Sequence, residues 1–295
     1  MRELGKKTLK NEAIIQLQQV GKKFSRHAVL DKVDLTIVQG DRIALIGQNG
    51  AGKTTLIRTL LGQYHHEGQV VVAGAHPRKN RVEVLQHIGF VPQHSPPIQM
   101  SVHELLQFSA KLNQYSNVSK ISQVAEDLGL DVGEHGKKPF LKLSGGMKQK
   151  LLIALALAKE PSILIMDEPA ANLDPEGRKA FFLRLSQIQE QTTMILSSHR
   201  VDELLPLINR IIELDCGKIV LDEASGEHSL AGKMLSCRVK PANATEGIHK
   251  LLNEWKFEQS SDGTFYEGQI IDADRLRFLN AISHFANHIS ELNIT

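Results

Sequence analysis

A glycine-rich loop with a lysine and two threonines lies early in the chain. Residues 47–55 read Gly-Gln-Asn-Gly-Ala-Gly-Lys-Thr-Thr and fit the phosphate-binding pattern G-x-x-x-x-G-K-[ST]. The glycines let backbone N–H groups wrap an anion closely, and a helix that begins at the loop adds partial positive charge. Lys53 would then reach the β- and γ-phosphates of a nucleotide, and the Thr54 hydroxyl would ligate Mg2+. The residues predicted to bind nucleotide in this loop are Gly47, Gln48, Asn49, Gly50, Ala51, Gly52, Lys53, Thr54 and Thr55.

An apolar run that ends in two carboxylates lies later in the chain. Residues 163–166 are suited to a buried strand, and Asp167 and Glu168 follow at once. At the carboxyl end of a parallel strand beside a phosphate loop, Asp167 would hold Mg2+ and Glu168 would orient or deprotonate an attacking water. A carboxylate pair that caps a strand is commonly only solvated, but the phosphate loop favours catalysis here.

Three further features place polar groups where they could reach a phosphate. Gln93 lies where a short strand over residues 88–93 becomes a loop, and His199 follows a strand over residues 193–198. A γ-phosphate could accept a hydrogen bond from that histidine.

Ser144 is suited to cap a helix, and the next two glycines leave the first helical N–H groups uncovered. This second helix end that could bind an anion consists of Ser144, Gly145 and Gly146.

Phe24 is an aromatic residue among lysines, a serine and an arginine. Base stacking needs only a flat apolar face, so its ring could stack on a purine. The alternative is a phenylalanine of the hydrophobic core.

The composition limits the class of protein. The 295 residues suggest about two domains, and 41% hydrophobic content suffices for globular cores. The longest apolar runs fall far short of the roughly 20 residues of a membrane span. The 35 basic and 33 acidic residues are too balanced to indicate nucleic acid as a partner. Two cysteines give no disulfide framework, and residues 1–12 are predicted to be a disordered basic tail.

The elements around these groups alternate in type. An antiparallel β layer, with a turn at residues 21–23, is predicted to lead into the strand before the phosphate loop. A mainly helical insertion spans about residues 95–158, and a helix is expected over residues 176–190. Residues 234–294 follow a strand and helix order of βαββαβ, which indicates a small ferredoxin-like module.

The order of these motifs resembles the nucleotide-binding subunit of an ABC transporter, over residues 13 to about 225. The matched motifs are, in chain order, Walker A (47–55), the Q-loop (Gln93), the family's own signature (143–146), Walker B with its glutamate (163–168), the D-loop (173–174) and the switch histidine (His199). Phe24 stands where the family places its adenine-stacking aromatic. The resemblance implies a P-loop NTPase (RecA-like) α/β core with an antiparallel β subdomain and a helical subdomain at residues 95–158, within an ATPase domain of residues 13–225. Residues 226–295 would form the accessory α+β domain.

The resemblance also implies partners. Two copies would form a head-to-tail dimer that sandwiches two ATP molecules with Mg2+, between Walker A of one chain and the signature of the other. Asp174 would join the ATP site, and Gln93 would be both a catalytic residue and a metal ligand. A separate integral membrane subunit would dock near Gln93 and the helical subdomain, which places the chain in the cytoplasm, on the cytoplasmic face of the inner membrane.

Met147 stands where glutamine is commonest in the signature, and Asn172 where a small residue often precedes the D-loop leucine. Met147 and the lysine-rich residues after it resemble the exporter-type subgroup, which favours export. The alternative is a non-transport ATPase of the iron–sulfur assembly type, because those proteins also carry a single cassette. No nucleic acid partner is expected.

Overall fold

The chain folds into two compact units that meet in sequence after Ala224. The computed structural model describes residues 13–25, 27–112, 117–198, 200–224, 234–242, 246–260, 263–271, 278, 281–282, 285 and 288–294. The predicted basic tail at residues 1–12 therefore lies outside the described residues. Within them, no helix combines the length and the apolar character needed to cross a membrane. Neither Cys216 nor Cys237 forms a disulfide.

The first unit contains nine strands and eight α-helices within its described residues. The strands are β1 (Ala13–Phe24), β2 (His27–Val38), β3 (Arg42–Ile46), β4 (Glu67–Val72), β5 (Ile88–Val91), β6 (Ile163–Asp167), β7 (Thr193–Ser197), β8 (Arg210–Asp215) and β9 (Lys218–Ala224). The helices are α1 (Lys53–Leu60), α2 (Arg81–His87), α3 (Val102–Leu112), α4 (Val118–Asp127), α5 (Val132–His135), α6 (Gly145–Ala158), α7 (Pro175–Ser186) and α8 (Val201–Leu204).

A six-stranded sheet forms the centre of this unit, in the order β5-β6-β7-β3-β8-β9. Its strands run parallel except β9, which pairs antiparallel with β8. Every residue of β6 and β7 is buried, as expected for parallel strands that are covered on both faces. The carboxyl ends of β3, β6 and β7 therefore lie side by side at one edge of the sheet.

A separate antiparallel sheet has the order β2-β1-β4. Ile15, Leu17 and Val20 of β1 are buried in a core that includes side chains of β3 and α1. The predicted turn at residues 21–23 is wrong, because β1 continues to Phe24 and the chain reverses after it. Irregular pairing between Val20 and Lys22 keeps Gly21 inside the strand, where a turn glycine was expected.

The segment between β5 and β6 is mainly helical, as predicted, and holds α3, α4, α5 and α6. The apolar faces of α3 and α4 are buried, with Val102, Leu106, Ile121 and Val124 at most 2% exposed. Helix α6 begins where Ser144 Oγ accepts a hydrogen bond from Met147 N at 3.2 Å. This bond is the predicted helix cap.

Helix α7 is shorter than the predicted helix over residues 176–190, because it ends at Ser186. The Ile188 carbonyl accepts a hydrogen bond from Arg42 Nη2 at 2.9 Å, at the start of β3. Gln187 N and Ile188 N donate to the carbonyls three residues back, of Arg184 and Leu185, so the regular helical pairing ends here.

The second unit is built around a four-stranded sheet. Its elements are β10 (Met234–Pro241), α9 (Glu246–Glu254), β11 (Glu258–Gln259), β12 (Tyr266–Ile271) and β13 (Ile289–Ile294). The sheet order is β11-β12-β10-β13, and all neighbours run antiparallel. Phe278, Ala281 and Ile282 are helical, within the predicted second helix. This arrangement confirms the ferredoxin-like module.

Candidate functional site

The loop between β3 and α1 has the conformation that its glycines permit. Gly47 has a φ of +142°, and a Cβ on it would stand 2.1 Å from the Leu214 carbonyl oxygen. Gly52 has a φ of +111° and precedes the first residue of α1. The backbone can adopt this curve only without side chains at these positions, and it leads directly into a helix N-terminus, which attracts anions.

Lys53 begins α1 and is only 8% exposed. Its Nζ donates to the carbonyl oxygens of Gly47 at 2.5 Å and Gln48 at 3.2 Å. Burial lowers the pKa of Lys53, while the carboxylates of Glu168 and Asp167 act in the opposite direction. The ammonium group therefore lies within the loop and within electrostatic range of both predicted catalytic carboxylates.

A chain of hydrogen bonds joins three elements at the same edge of the sheet. Thr54 Oγ1 donates to Asp167 Oδ2 at 2.8 Å, across 113 positions of sequence. Ser197 Oγ donates to Asp167 Oδ1 at 2.6 Å and accepts from Glu168 N at 2.9 Å. The structure thus brings together the two predicted metal-binding residues Thr54 and Asp167.

Ser197 is a site residue that the sequence analysis missed. It ends β7 and is fully buried. A hydroxyl at the end of a buried apolar strand was the available signal, because buried polar groups need hydrogen-bond partners.

Glu168 follows β6 directly and has a φ of +51°, in the left-handed region that few residues other than glycine adopt. Its backbone N–H is fixed by Ser197 Oγ. The turn after β6 is therefore anchored to the end of β7, at the edge of the sheet where the phosphate loop begins.

Gln93 lies two residues beyond β5. Because Val91 pairs with Met166, Gln93 leaves the sheet beside the strand that ends at Asp167. Among the described residues, no group of three or more His, Cys, Asp or Glu side chains is arranged to hold a metal ion. The oxygen atoms of Thr54 and Asp167 nevertheless fit Mg2+, which commonly takes one or two carboxylates and completes its shell with phosphates and water. His199 lies outside the described residues.

Residues 144–146 form the cap and first two residues of α6, where Ser144 and Gly145 are exposed and Gly146 is half-buried. A Cβ on Gly145 would meet nothing within 4 Å, whereas one on Gly146 would stand 3.0 Å from the Asn172 carbonyl oxygen. Among the described residues, this segment shares no hydrogen bond with the loop at 47–55.

Asp174 precedes α7 and pairs with Lys150 Nζ at 3.0 Å. The hydrogen bond from Lys150 lowers the pKa of Asp174. The ion pair between Lys150 and Asp174 was not predicted from the sequence.

Phe24 ends β1 and is 41% exposed, so the alternative of a core phenylalanine is wrong. Its ring meets Tyr64 edge to face at 5.2 Å, and Lys22 Nζ lies 4.7 Å from its centroid. Exposed aromatic rings of this kind are available for stacking.

Comparison with known proteins identifies the family. A sequence profile of the ABC transporter family matches residues 30–171. The zinc import ATP-binding protein ZnuC of Marinobacter nauticus is 33% identical over 214 residues, which cover 69% of this chain and 75% of ZnuC. The chain belongs to the ATP-binding proteins of ABC transporters. It is therefore an ATPase subunit of a transporter, as the order of motifs predicted.

Other relatives differ in the direction of transport that their names state. The Nod factor export ATP-binding protein I of Cupriavidus metallidurans is 32% identical over 234 residues, covering 77% of this chain and 76% of that protein. Since the zinc import protein is equally similar, identity alone does not separate import from export.

Solved structures share the ABC fold. An ATP-binding subunit of an ABC transporter aligns with a TM-score of 0.66 at 22% identity, covering 72% of this chain and 90% of that chain. The ADP- and phosphate-bound dimer of the ATP-binding cassette MJ0796 aligns with a TM-score of 0.64 at 22% identity, covering 72% and 99%. The P-loop α/β core is thereby confirmed.

Proposed function

We propose that one ATP molecule is held by residues 47–55 and hydrolysed by the groups at the carboxyl ends of β5, β6 and β7. The backbone N–H groups of the loop and of the first turn of α1 would bind the phosphates. Lys53 would exchange its two carbonyl contacts for the β- and γ-phosphates. The observation that carries this proposal is the hydrogen-bonded chain from Thr54 through Asp167 and Ser197 to Glu168.

Thr54, Asp167 and Gln93 would hold Mg2+ in this site. The bound cation would neutralise the charge on the β- and γ-phosphates. Ser197 fixes the second oxygen of Asp167, so that Oδ2 stays directed at Thr54.

Glu168 would accept a proton from, or orient, the attacking water. Its backbone conformation and its bond to Ser197 support a fixed side-chain direction, which general-base catalysis requires. Gln93 and His199 would complete the group around the γ-phosphate, one from each neighbouring strand end.

The remaining binding residues would come from a second copy. At the start of α6, Ser144 and Gly145 are exposed, and among the described residues no hydrogen bond joins residues 144–146 to the phosphate loop, which favours contact with nucleotide on another chain. A head-to-tail dimer would then enclose two ATP molecules. Phe24 would stack on the adenine of its own loop, and Asp174 would lie at the dimer contact.

A membrane subunit would dock beside Gln93 and the helical subdomain, which we assign to residues 95–158. Pro96 and Pro97 are exposed, and Ile98 and Met100 are half-buried. Such a surface could receive a short helix of the partner. The chain would thus lie on the cytoplasmic face of the inner membrane. Met147 and the lysine-rich residues after it, which follow the signature, favour export.

The domain limits belong to the same proposal. Residues 13–225 would be the ATPase domain and residues 226–295 an accessory domain that supports dimerisation or binds another subunit. Residues 1–12 would be a tail outside both domains.

Replacing Glu168 by glutamine tests the proposed chemistry. Turnover of ATP should fall by about 10²- to 10⁴-fold, because glutamine cannot accept the proton. ATP-dependent dimerisation, measured by light scattering after size exclusion, should persist because glutamine keeps the size of the side chain. Glu126→Gln on the exposed face of α4 is the matched control and should retain activity. Unchanged turnover in Glu168→Gln would remove this residue from its assigned role.

A further inference from the structure

Two neighbouring side chains of α6 contact the segment between Glu168 and α7. Gln149 is 1% exposed, and its Nε2 donates to the Pro169 carbonyl oxygen at 3.0 Å. Lys150 Nζ lies 3.0 Å from Asp174 Oδ1, and its side chain is 11% exposed. Gln149 therefore contacts the segment at residues 168–174 near its start, and Lys150 contacts it at its last residue.

Within the described part of the chain, the buried amide of Gln149 is paired through its nitrogen only. Its Oε1 is buried and has no hydrogen-bond partner among the described residues. A buried unpaired acceptor costs free energy, which offsets part of what the bond from Nε2 to Pro169 contributes to the core. The contact that the amide does make reaches the carbonyl of the residue directly after Glu168.

The ion pair of Lys150 is accommodated by a glycine. A Cβ at Gly177 would stand 2.6 Å from Lys150 Cε and 2.6 Å from Asp174 Oδ1. The first turn of α7 is thus open at the place where the lysine side chain passes over it. The close approach makes the pair a specific contact between α6 and the start of α7.

We propose that Gln149 and Lys150 are positioning residues, through which α6 holds the turn of Glu168 in its catalytic direction. The proposal rests on the proposed roles of Glu168 and of the signature. Ser197 holds the Glu168 backbone from β7, and α6 holds the next residue through Gln149. Because Ser144 begins the same helix, binding of the partner's nucleotide at residues 144–146 would act on Glu168 of this chain. Each α6 would thereby link the two ATP sites of a dimer.

Single variants of the full chain test the positioning role. Gln149→Leu and Lys150→Met should each lower kcat about tenfold through a small displacement of Glu168. KM should stay within about twofold, because binding in the ground state is unaffected. Lys150→Arg, which keeps charge and reach, should restore kcat. Lys148→Met is the matched control on the same helix and should resemble the unmodified chain. If the kcat of Gln149→Leu returns to the unmodified value at temperatures well below its Tm, the loss reflects unfolding alone, the role is merely structural and the proposal is overturned.

Mixed dimers test which Glu168 depends on α6. In a dimer purified through two different tags, one copy carries Glu168→Gln, so that only the other copy's Glu168 acts. Gln149→Leu is then placed in either copy, and hydrolysis is followed in a single turnover. The proposal requires the loss when Gln149→Leu shares a chain with the intact Glu168. A loss only in the opposite arrangement would mean that Gln149 acts through the signature alone, and would overturn it.

The two proposals fail in different ways. If Glu168→Gln alone hydrolyses ATP at the unmodified rate, the proposed function fails. If Glu168→Gln is inactive while Gln149→Leu and Lys150→Met keep the unmodified kcat, only the role of α6 fails.

Discussion

The parallel sheet of the first unit and the antiparallel sheet of the second place their strand ends differently. In the first unit, β3, β6 and β7 all end at one edge, so groups that are far apart in sequence converge there. In the second unit, β10 runs antiparallel to both of its neighbours, so successive strand ends alternate between opposite edges. Strand direction decides where side chains at strand ends can meet.

Polar contacts in the two units differ accordingly. Asp167 is 3% exposed and receives hydrogen bonds from two other elements. The pair of Arg238 and Glu267, on adjacent strands of the second unit, is 55% exposed on each side chain. Exposed ion pairs contribute little to folding stability. A buried carboxylate needs specific hydrogen-bond partners, because burial of an unpaired charge costs free energy. We therefore expect ATP hydrolysis to depend on side chains of the first unit. The same substitutions in the second unit should leave hydrolysis unchanged.

The largest expected difference comes from removing a lysine in each unit. Lys53→Met should lower kcat/KM for ATP hydrolysis by about 10²- to 10³-fold, because it removes a positive charge placed for the phosphates. Lys240→Met, the same chemical change on the exposed face of β10, should leave hydrolysis unchanged. Steady-state release of phosphate measures both. Equal losses of hydrolysis in the two variants would contradict the assignment of ATP hydrolysis to the first unit.

The sequence predicted the elements that depend on local pattern. The strand before the phosphate loop, the helix that begins at Lys53 and the cap at Ser144 each follow from a few adjacent residues. The order of elements in the second unit could also be predicted, because hydrophobic alternation and turn residues mark each strand. These features correspond to contacts that are close in sequence.

The sequence did not predict features that depend on distant contacts. The extension of β1 through Gly21 depends on pairing with β2 and β4, and the end of α7 at Ser186 accompanies the contact of Arg42 with Ile188. Gln149 lies on a helix buried over much of its surface, where periodicity does not single out one polar side chain. Its partner Pro169 is 20 positions away and belongs to another element.

A smaller effect is expected at two aromatic rings, each with a cation over its face. Phe24→Ala should raise the KM for ATP about tenfold, because stacking on a base contributes about 1–3 kcal/mol. Phe24→Tyr should preserve the KM, since tyrosine keeps a flat ring. Phe265, with Arg238 at 4.4 Å from its centroid, provides the comparison in the second unit. Phe265→Ala should leave the KM unchanged, and a matching rise there would contradict the assignment of the base to Phe24.

The smallest effect on turnover is expected from the core of the second unit. Phe278 is fully buried, stacks on Phe257 at 5.1 Å and meets Trp255 at 5.2 Å. Phe278→Ala should destabilise this unit by about 3–5 kcal/mol, because it leaves a cavity among these rings. The near-UV circular dichroism of Trp255, the chain's single tryptophan, would follow unfolding of the unit, while phosphate release reports turnover. If the second unit only supports dimerisation or binds another subunit, turnover at saturating protein concentration should stay constant as that signal is lost. A parallel loss of turnover would instead mean that the antiparallel unit contributes to hydrolysis, although the proposed catalytic residues all belong to the first unit.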